Sequence, residues 1–181
     1  MPRAIHLIDF PFPTAPGSPK LRVVPIVRIM VDGYSLLHSW PELAPGSPRH
    51  SETARDALTD TLTQYRDAIG TPITVVFDGA GAPKDAPAAQ STGEFEVLFS
   101  RKRRTADDLI ERATQRLLEF GDVLVVTDDY AERDTVAYLG ALTSSCEAFI
   151  RDVESALGSL SLHIDEHNRR EQKRYKESRP R

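Results

Sequence analysis

The sequence predicts an α/β fold in which a mainly parallel sheet is covered by helices on both faces. Three observations predict it. Short apolar runs of strand length alternate along the chain with stretches of helical periodicity. The first run, Ile26 to Val31, is apolar enough to be a strand covered on both sides. Three of the runs also end in aspartate, at Asp32, at Asp78 and at Asp128-Asp129. In a parallel sheet such ends lie on one rim, where ligands of this fold class bind.

Residues 1 to about 24 read as an extension, and Pro2, Pro11, Pro13, Pro16, Pro19 and Pro25 exclude a regular helix or central strand there. The strand Ile26–Val31 closes on Asp32-Gly33, and a Pro-rich loop follows from Trp40 to Pro48. Ala54, Leu58, Leu62, Tyr65 and Ile69 recur at helical spacing and predict a helix over 51–69, stopped by Gly70. The second strand, Ile73–Phe77, ends at Asp78-Gly79. Ala, Pro and Gly then dominate 80–92, which reads as a loop. Phe95, Val97 and Phe99 alternate with less apolar neighbours in a third, more exposed strand.

Thr105 to Phe120 reads as a helix with Thr105 at its N-cap, Asp108 at capping-box spacing, and Ile110, Ala113 and Leu117 on the buried stripe. The fourth strand, Val123–Thr127, ends at Asp128-Asp129. After a short element and Gly140-Ala141, a last helix begins near Ser144 and buries Cys146, Phe149, Ile150, Val153 and Leu157. A break is expected near Gly158, before the basic tail. The resulting division is an extension over 1–24, a domain over 25–160 and a basic helix or tail over 161–181.

Composition narrows the function. The 27 acidic residues outnumber the 23 basic ones, for a net charge of −4. Taken alone, that does not suit a polyanion binder. The charges are segregated, however: Arg101-Lys102-Arg103-Arg104 forms one basic cluster and the C-terminal RREQKRYKESRPR another. That asymmetry suits a protein holding cations in one place and a polyanion in others. No apolar run is long enough to span a bilayer. The N-terminus lacks the uninterrupted apolar core of a signal peptide, and the cytoplasm is the expected location. The single cysteine, Cys146, excludes an intrachain disulfide and a Cys-based zinc site.

One aspartate at a strand end needs no function, because it can cap the next helix or make a turn. Three such ends on one rim repel each other unless a cation sits among them, and Mg²⁺ or Mn²⁺ suits oxygen ligands. Asp107 and Glu111, spaced i, i+4, share a helix face close to this rim, whereas Asp108 is explained by the capping box. The basic quartet before Asp107 would place phosphate-gripping groups next to the carboxylates. The chemistry that fits is phosphodiester hydrolysis with one ion or two. A haloacid-dehalogenase-type phosphatase wants a second aspartate where this chain has Tyr34. A receiver-like domain wants a lysine at a late strand end, which this chain does not supply. Gly79-Ala80-Gly81 lacks the rest of a dinucleotide fingerprint.

An ordered set of motifs supports the same chemistry: Val31-Asp32-Gly33-Tyr34-Ser35-Leu36, Trp40-Pro41, Ala54-Arg55-Asp56, Val75-Val76-Phe77-Asp78, Glu96-Val97-Leu98-Phe99, Thr105-Ala106-Asp107 with Ile110-Glu111, Val126-Thr127 with Asp129-Tyr130, and Gly140-Ala141. Over 26–157 the chain thereby resembles the YacP-like NYN-domain family of PIN-like nucleases, which are similar to ribosome-associated endoribonucleases that cut mRNA. The resemblance implies a three-layer α/β/α sandwich and a Mg²⁺- or Mn²⁺-dependent endoribonuclease. Asp32, Asp107 and Asp129 match the metal-binding and catalytic aspartates, and Glu111 and Asp78 match further family carboxylates. Ser35 stands where the family has asparagine, and its shorter side chain offers less reach toward a carboxylate or substrate. RNA contacts are expected from Ser35, Arg101, Lys102, Arg103, Arg104, Lys173 and Arg174. The alternative is an RNA- or ribosome-binding module that keeps the fold with little or no cleavage.

Overall fold

The computed structural model describes residues 25–79, 89–91, 93–100 and 105–177. The extension over 1–24, most of the 80–92 loop and the Arg101–Arg104 quartet lie outside the described residues. The strands are β1 (Ile26–Asp32), β2 (Ile73–Phe77), β3 (Ala89–Ser91), β4 (Phe95–Phe99), β5 (Asp122–Val126) and β6 (Leu142–Ser144). The helices are α1 (Gly33–Ser39), α2 (Glu52–Ile69), α3 (Ala106–Leu117), α4 (Tyr130–Tyr138) and α5 (Cys146–Glu177). They form one six-stranded sheet in the order β3-β4-β2-β1-β5-β6. β3 alone runs antiparallel, at the edge beside β4, and every other pairing is parallel.

Successive β1 residues alternate between the two layers. Ile29 and Val31 pack under α1, α2 and α5 with Leu36, Leu58, Leu62, Phe149 and Val153. Met30 faces the other way, with Ala106 and Ile110 of α3 and Val136 of α4. A strand buried on both faces cannot show period-2 polarity, which is why β1 reads as a continuous apolar run. The α/β/α sandwich expected from the sequence is therefore the observed fold. No helix among the described residues is long and apolar enough to cross a membrane.

Two short segments carry structure that periodicity does not reveal. α1 starts directly at the end of β1, and its seven residues bury only Gly33, Leu36 and Leu37. It fits because Gly33 has no side chain: a Cβ there would lie 2.3 Å from the Phe77 ring, which is fully buried. β6, with three residues, completes the sheet beyond β5.

The break expected near Gly158 is not found, and α5 runs unbroken from Cys146 to Glu177. One glycine inside a helix costs only about 1 kcal/mol relative to alanine. The packed first turns of α5 propagate through it, and Glu147–Arg151 and Glu166–Arg170 add i, i+4 ion pairs along its exposed surface.

Candidate active site at the carboxyl edge of the sheet

The chain crosses from β1 to β2 on one side of the sheet centre and returns to β5 on the other. That switch point opens a crevice beyond the strand ends. Asp32 and Asp107 reach it from two helix starts, and Asp129, at a third, stands near them without lining it. Asp32 closes β1 and is the N-cap of α1, its Oδ1 accepting from the backbone N–H groups of Tyr34 (3.1 Å) and Ser35 (3.2 Å). Asp129 follows β5 and caps α4, its Oδ1 accepting from the N–H groups of Ala131 (2.8 Å) and Glu132 (3.1 Å). Asp107 sits in the first turn of α3, which Ala106 and Ile110 anchor over the sheet. Asp32, Asp78, Asp107 and Asp128 line an open cleft of about 450 Å³ together with Tyr34, Ser35, His38, His50 and Thr105.

Asp32 and Asp129 are close enough to act on Asp107. The Asp107 carboxyl is raised above its ordinary value, first by partial loss of hydration and then by the charges of Asp32 and Asp129. A fourth carboxylate, not expected from the sequence, shares the cluster. Glu132 is buried, and neither of its carboxyl oxygens has a hydrogen bond of ordinary geometry among the described residues. Burial pushes its pKa up to about 7; the nearby Thr127 hydroxyl opposes this, and Asp32, Asp107 and Asp129 reinforce it.

Glu132 is easy to pass over because Asp129-x-x-Glu132 has capping-box spacing, which would send its carboxyl back to the Asp129 N–H. That N–H instead donates to Thr127 Oγ1 at 3.1 Å. The capping duty is taken by Thr127, and the Glu132 carboxylate is left in the acidic cluster. As placed, no three Asp, Glu, His or Cys side chains among the described residues are grouped tightly enough to hold a metal ion. The orphaned Glu132 oxygens and the raised Asp107 are nonetheless what an all-oxygen cation site looks like without its counter-charge.

The other sequence candidates fall into place around this cluster. Asp108 makes the reciprocal capping box with Thr105, at 3.2 Å in each direction. Asp78 lines the cleft and accepts from the Ser100 hydroxyl (2.8 Å), which in turn accepts from the Gly79 N–H (2.7 Å). Glu111 is exposed one turn along α3 and does not line the cleft. Ser35 lines the cleft and holds Asp32 through its backbone. Arg174 is exposed on α5 and ion-paired to Glu171 at 3.2 Å. The Lys173 side chain, like Arg101–Arg104, lies outside the described residues.

Asp128 proves to be a latch rather than a plain loop residue. Its Oδ2 accepts from the Ser39 hydroxyl (2.8 Å) and its Oδ1 from the Cys146 N–H (2.9 Å), tying the end of α1 to the start of α5. Partial burial raises its carboxyl, but these hydrogen bonds, the Cys146 thiol and the Arg133 charge outweigh it and hold the pKa below the ordinary value. A depressed carboxylate stabilises the fold above its ordinary pKa, and that contribution is lost as pH falls through the lowered value. Asp128→Ala is therefore expected to cost about 1 kcal/mol near neutral pH, a figure reduced for exposure. Denaturant titration should show the difference from wild type shrinking below the ordinary carboxylate range.

Comparison with known proteins agrees with this fold. The family model for the YacP-like NYN domain matches residues 29–180. The chain is 34% identical over 128 residues to the uncharacterized protein YacP of Bacillus subtilis, a match covering 70% of this chain and 75% of that protein. Its structure is similar to the crystal structure of Rae1 (YacP) from Bacillus subtilis, with a TM-score of 0.68 and 28% identity over 80% of this chain and 83% of the other. A mutant form of the same protein gives a TM-score of 0.67 at 27% identity, covering 79% and 84% of the two chains.

Proposed function

The chain belongs to the YacP-like NYN domain family, and from that premise we propose that it is a metal-dependent endoribonuclease that hydrolyses RNA phosphodiester bonds. The observation that carries this reading is that Asp107 feels the charges of Asp32 and Asp129, and that buried Glu132 feels all three. Four carboxylates gathered on a phosphate-cleaving rim repel an RNA backbone unless their charge is met. Asp32, Asp107 and Asp129, with Glu132 behind them, would hold Mg²⁺ or Mn²⁺, which would supply that charge and the means of activating water. The chain's own part is to carry the carboxylates on three helix starts at one rim; holding an ion would draw them together from their positions as placed.

The Arg101–Arg104 quartet directly precedes Thr105 of the cleft in sequence and is assigned to phosphate binding, together with Lys173 and Arg174. Family membership supports mRNA as the substrate, with the ribosome as its setting and the cytoplasm as the compartment. If the quartet binds phosphates, replacing it with glutamines weakens RNA affinity and reduces the salt slope by roughly 0.7 for each phosphate that is no longer neutralised. Anisotropy titrations at several salt concentrations check this, and an unchanged slope removes the quartet from the interface.

The direct test of the reaction is incubation of a long unstructured RNA with the full chain in Mn²⁺ or in EDTA. Mn²⁺-dependent internal cleavage is expected. The carboxylates' separation as placed, and Ser35 in the asparagine position, favour a second reading: a binding module with little turnover. Tight RNA binding without cleavage, unaffected by Asp107→Asn, would select it.

A further inference from the structure

One wall of the cleft carries no carboxylate. It is made by Tyr34 and His38 of α1 and by His50, just before α2. The Tyr34 and His50 ring centroids lie 4.5 Å apart and those of His38 and His50 5.6 Å apart, both edge to face. The contacts continue into the core: Tyr34 meets Phe77 at 5.1 Å, Phe77 stacks on Phe99 at 5.5 Å, and the Arg55 guanidinium lies 5.9 Å from the Phe99 centroid. Arg55, itself buried, closes the circuit by donating from Nη1 to the His50 carbonyl at 2.7 Å. An exposed imidazole is thus fastened to the core through both its ring and its backbone.

A cation flanks the wall from a small neighbouring pocket. Arg49 bonds through Nη1 to His38 Nδ1 at 2.7 Å. A guanidinium only donates, so Nδ1 is the acceptor and the His38 proton sits on Nε2. The buried Tyr34 hydroxyl has no hydrogen-bond partner among the described residues. The wall therefore presents rings held in place by their neighbours, with a guanidinium beside them, a few residues along the chain from Asp32. A saturated phosphate ester would use the guanidinium but leave the rings idle. A planar heterocycle carrying a phosphate uses both, because bases stack on aromatic and imidazole rings while guanidinium grips the phosphate.

We propose that Tyr34, His38 and His50 form a stacking subsite that seats one unpaired nucleobase of the RNA beside the carboxylates, with Arg49 on an adjacent phosphate. This rests on the nuclease reading and deepens it: the site takes single strands, because a base held in a duplex cannot enter. Pre-fixed rings lose little conformational entropy on binding, which suits a positioning platform.

The test is binding without turnover. A fluorescein-labelled twelve-nucleotide RNA (about one site length) is titrated with the full chain in EDTA at low salt. The oligonucleotide is used intact and with a single abasic position moved along it. Loss of one stacked base corresponds to about a ten-fold weaker affinity. His50→Ala is expected to weaken the intact RNA by about that factor, and one abasic position should weaken wild type equally. The two losses should not add, since each removes the same stacking interaction. Thermal melting of His50→Ala, whose side chain is exposed, provides the fold control. Unchanged affinity in a His38→Ala/His50→Ala double variant overturns the subsite, as do additive losses or an equal effect on a perfect duplex. Mn²⁺-dependent cleavage by wild type alongside any of these results leaves the nuclease reading standing and removes the subsite alone. Failure of wild type to bind or cleave single-stranded RNA overturns both.

Discussion

Asp107→Asn is expected to lower Mn²⁺-dependent RNA cleavage by roughly 10²–10³-fold while leaving the melting temperature of the metal-free protein unchanged or raised. The opposition of the two effects follows from the structure. α3 is capped by Thr105 and Asp108 and anchored by Ala106 and Ile110, so it does not depend on the Asp107 carboxylate, whose bond to its own backbone N–H is outweighed by the effects that raise it. That carboxylate is lifted by lost hydration and by Asp32 and Asp129, a standing cost to the fold. Asparagine keeps the shape and removes the charge. Parallel cleavage rates and thermal melts separate the outcomes: lost activity with lost stability would make Asp107 a structural residue.

Glu132→Gln should remove most of the pH dependence of the metal-free protein's stability between pH 5 and pH 8, the range spanned by the shift to about 7. The sign follows from the raised pKa. The fold prefers the protonated carboxyl, so the contribution is fully present below the ordinary carboxylate value of 4.5 and is lost as pH rises through about 7. Wild type should lose on the order of 2 kcal/mol across that interval, roughly 5 °C in melting temperature. The Gln variant should be nearly flat and more stable at pH 8. Mn²⁺ should restore wild-type stability at pH 8 and do less at pH 5, where the carboxyl is neutral. A wild-type profile without this slope would show that Glu132 stays charged at no cost, and that it is not a member of the cluster.

Much of this was legible in the sequence, for a physical reason. Residues buried on both faces of β1 and the single stripes of α2 and α3 leave strong periodic signals, and those elements carry Asp32 and Asp107. The strongly apolar β5 placed the Asp128-Asp129 pair at the rim, and the family resemblance singled out Asp129. Features that depend on packing between distant residues were hidden. α1 is too short for a period and exists because Gly33 lies against Phe77. Gly158 looked like a break because local propensity says nothing of the anchored turns that precede it. Glu132 carried the spacing of an ordinary cap until Thr127 took that role. The His38–His50 wall joins side chains that meet only through α1, Arg55 and two core phenylalanines, and no local pattern announces it.

The central claim is that the carboxylates at the switch point hold a divalent cation together. Isothermal calorimetry with Mn²⁺ titrated into wild type and into Asp32→Asn tests it most directly. Asp32 contributes to the cleft from the end of β1, and only Oδ1 of its carboxylate is used in capping α1. Saturable Mn²⁺ binding to wild type is expected, with an affinity at least about ten-fold weaker in the variant. Equal affinity in the two proteins, or no saturable binding by wild type, would contradict it.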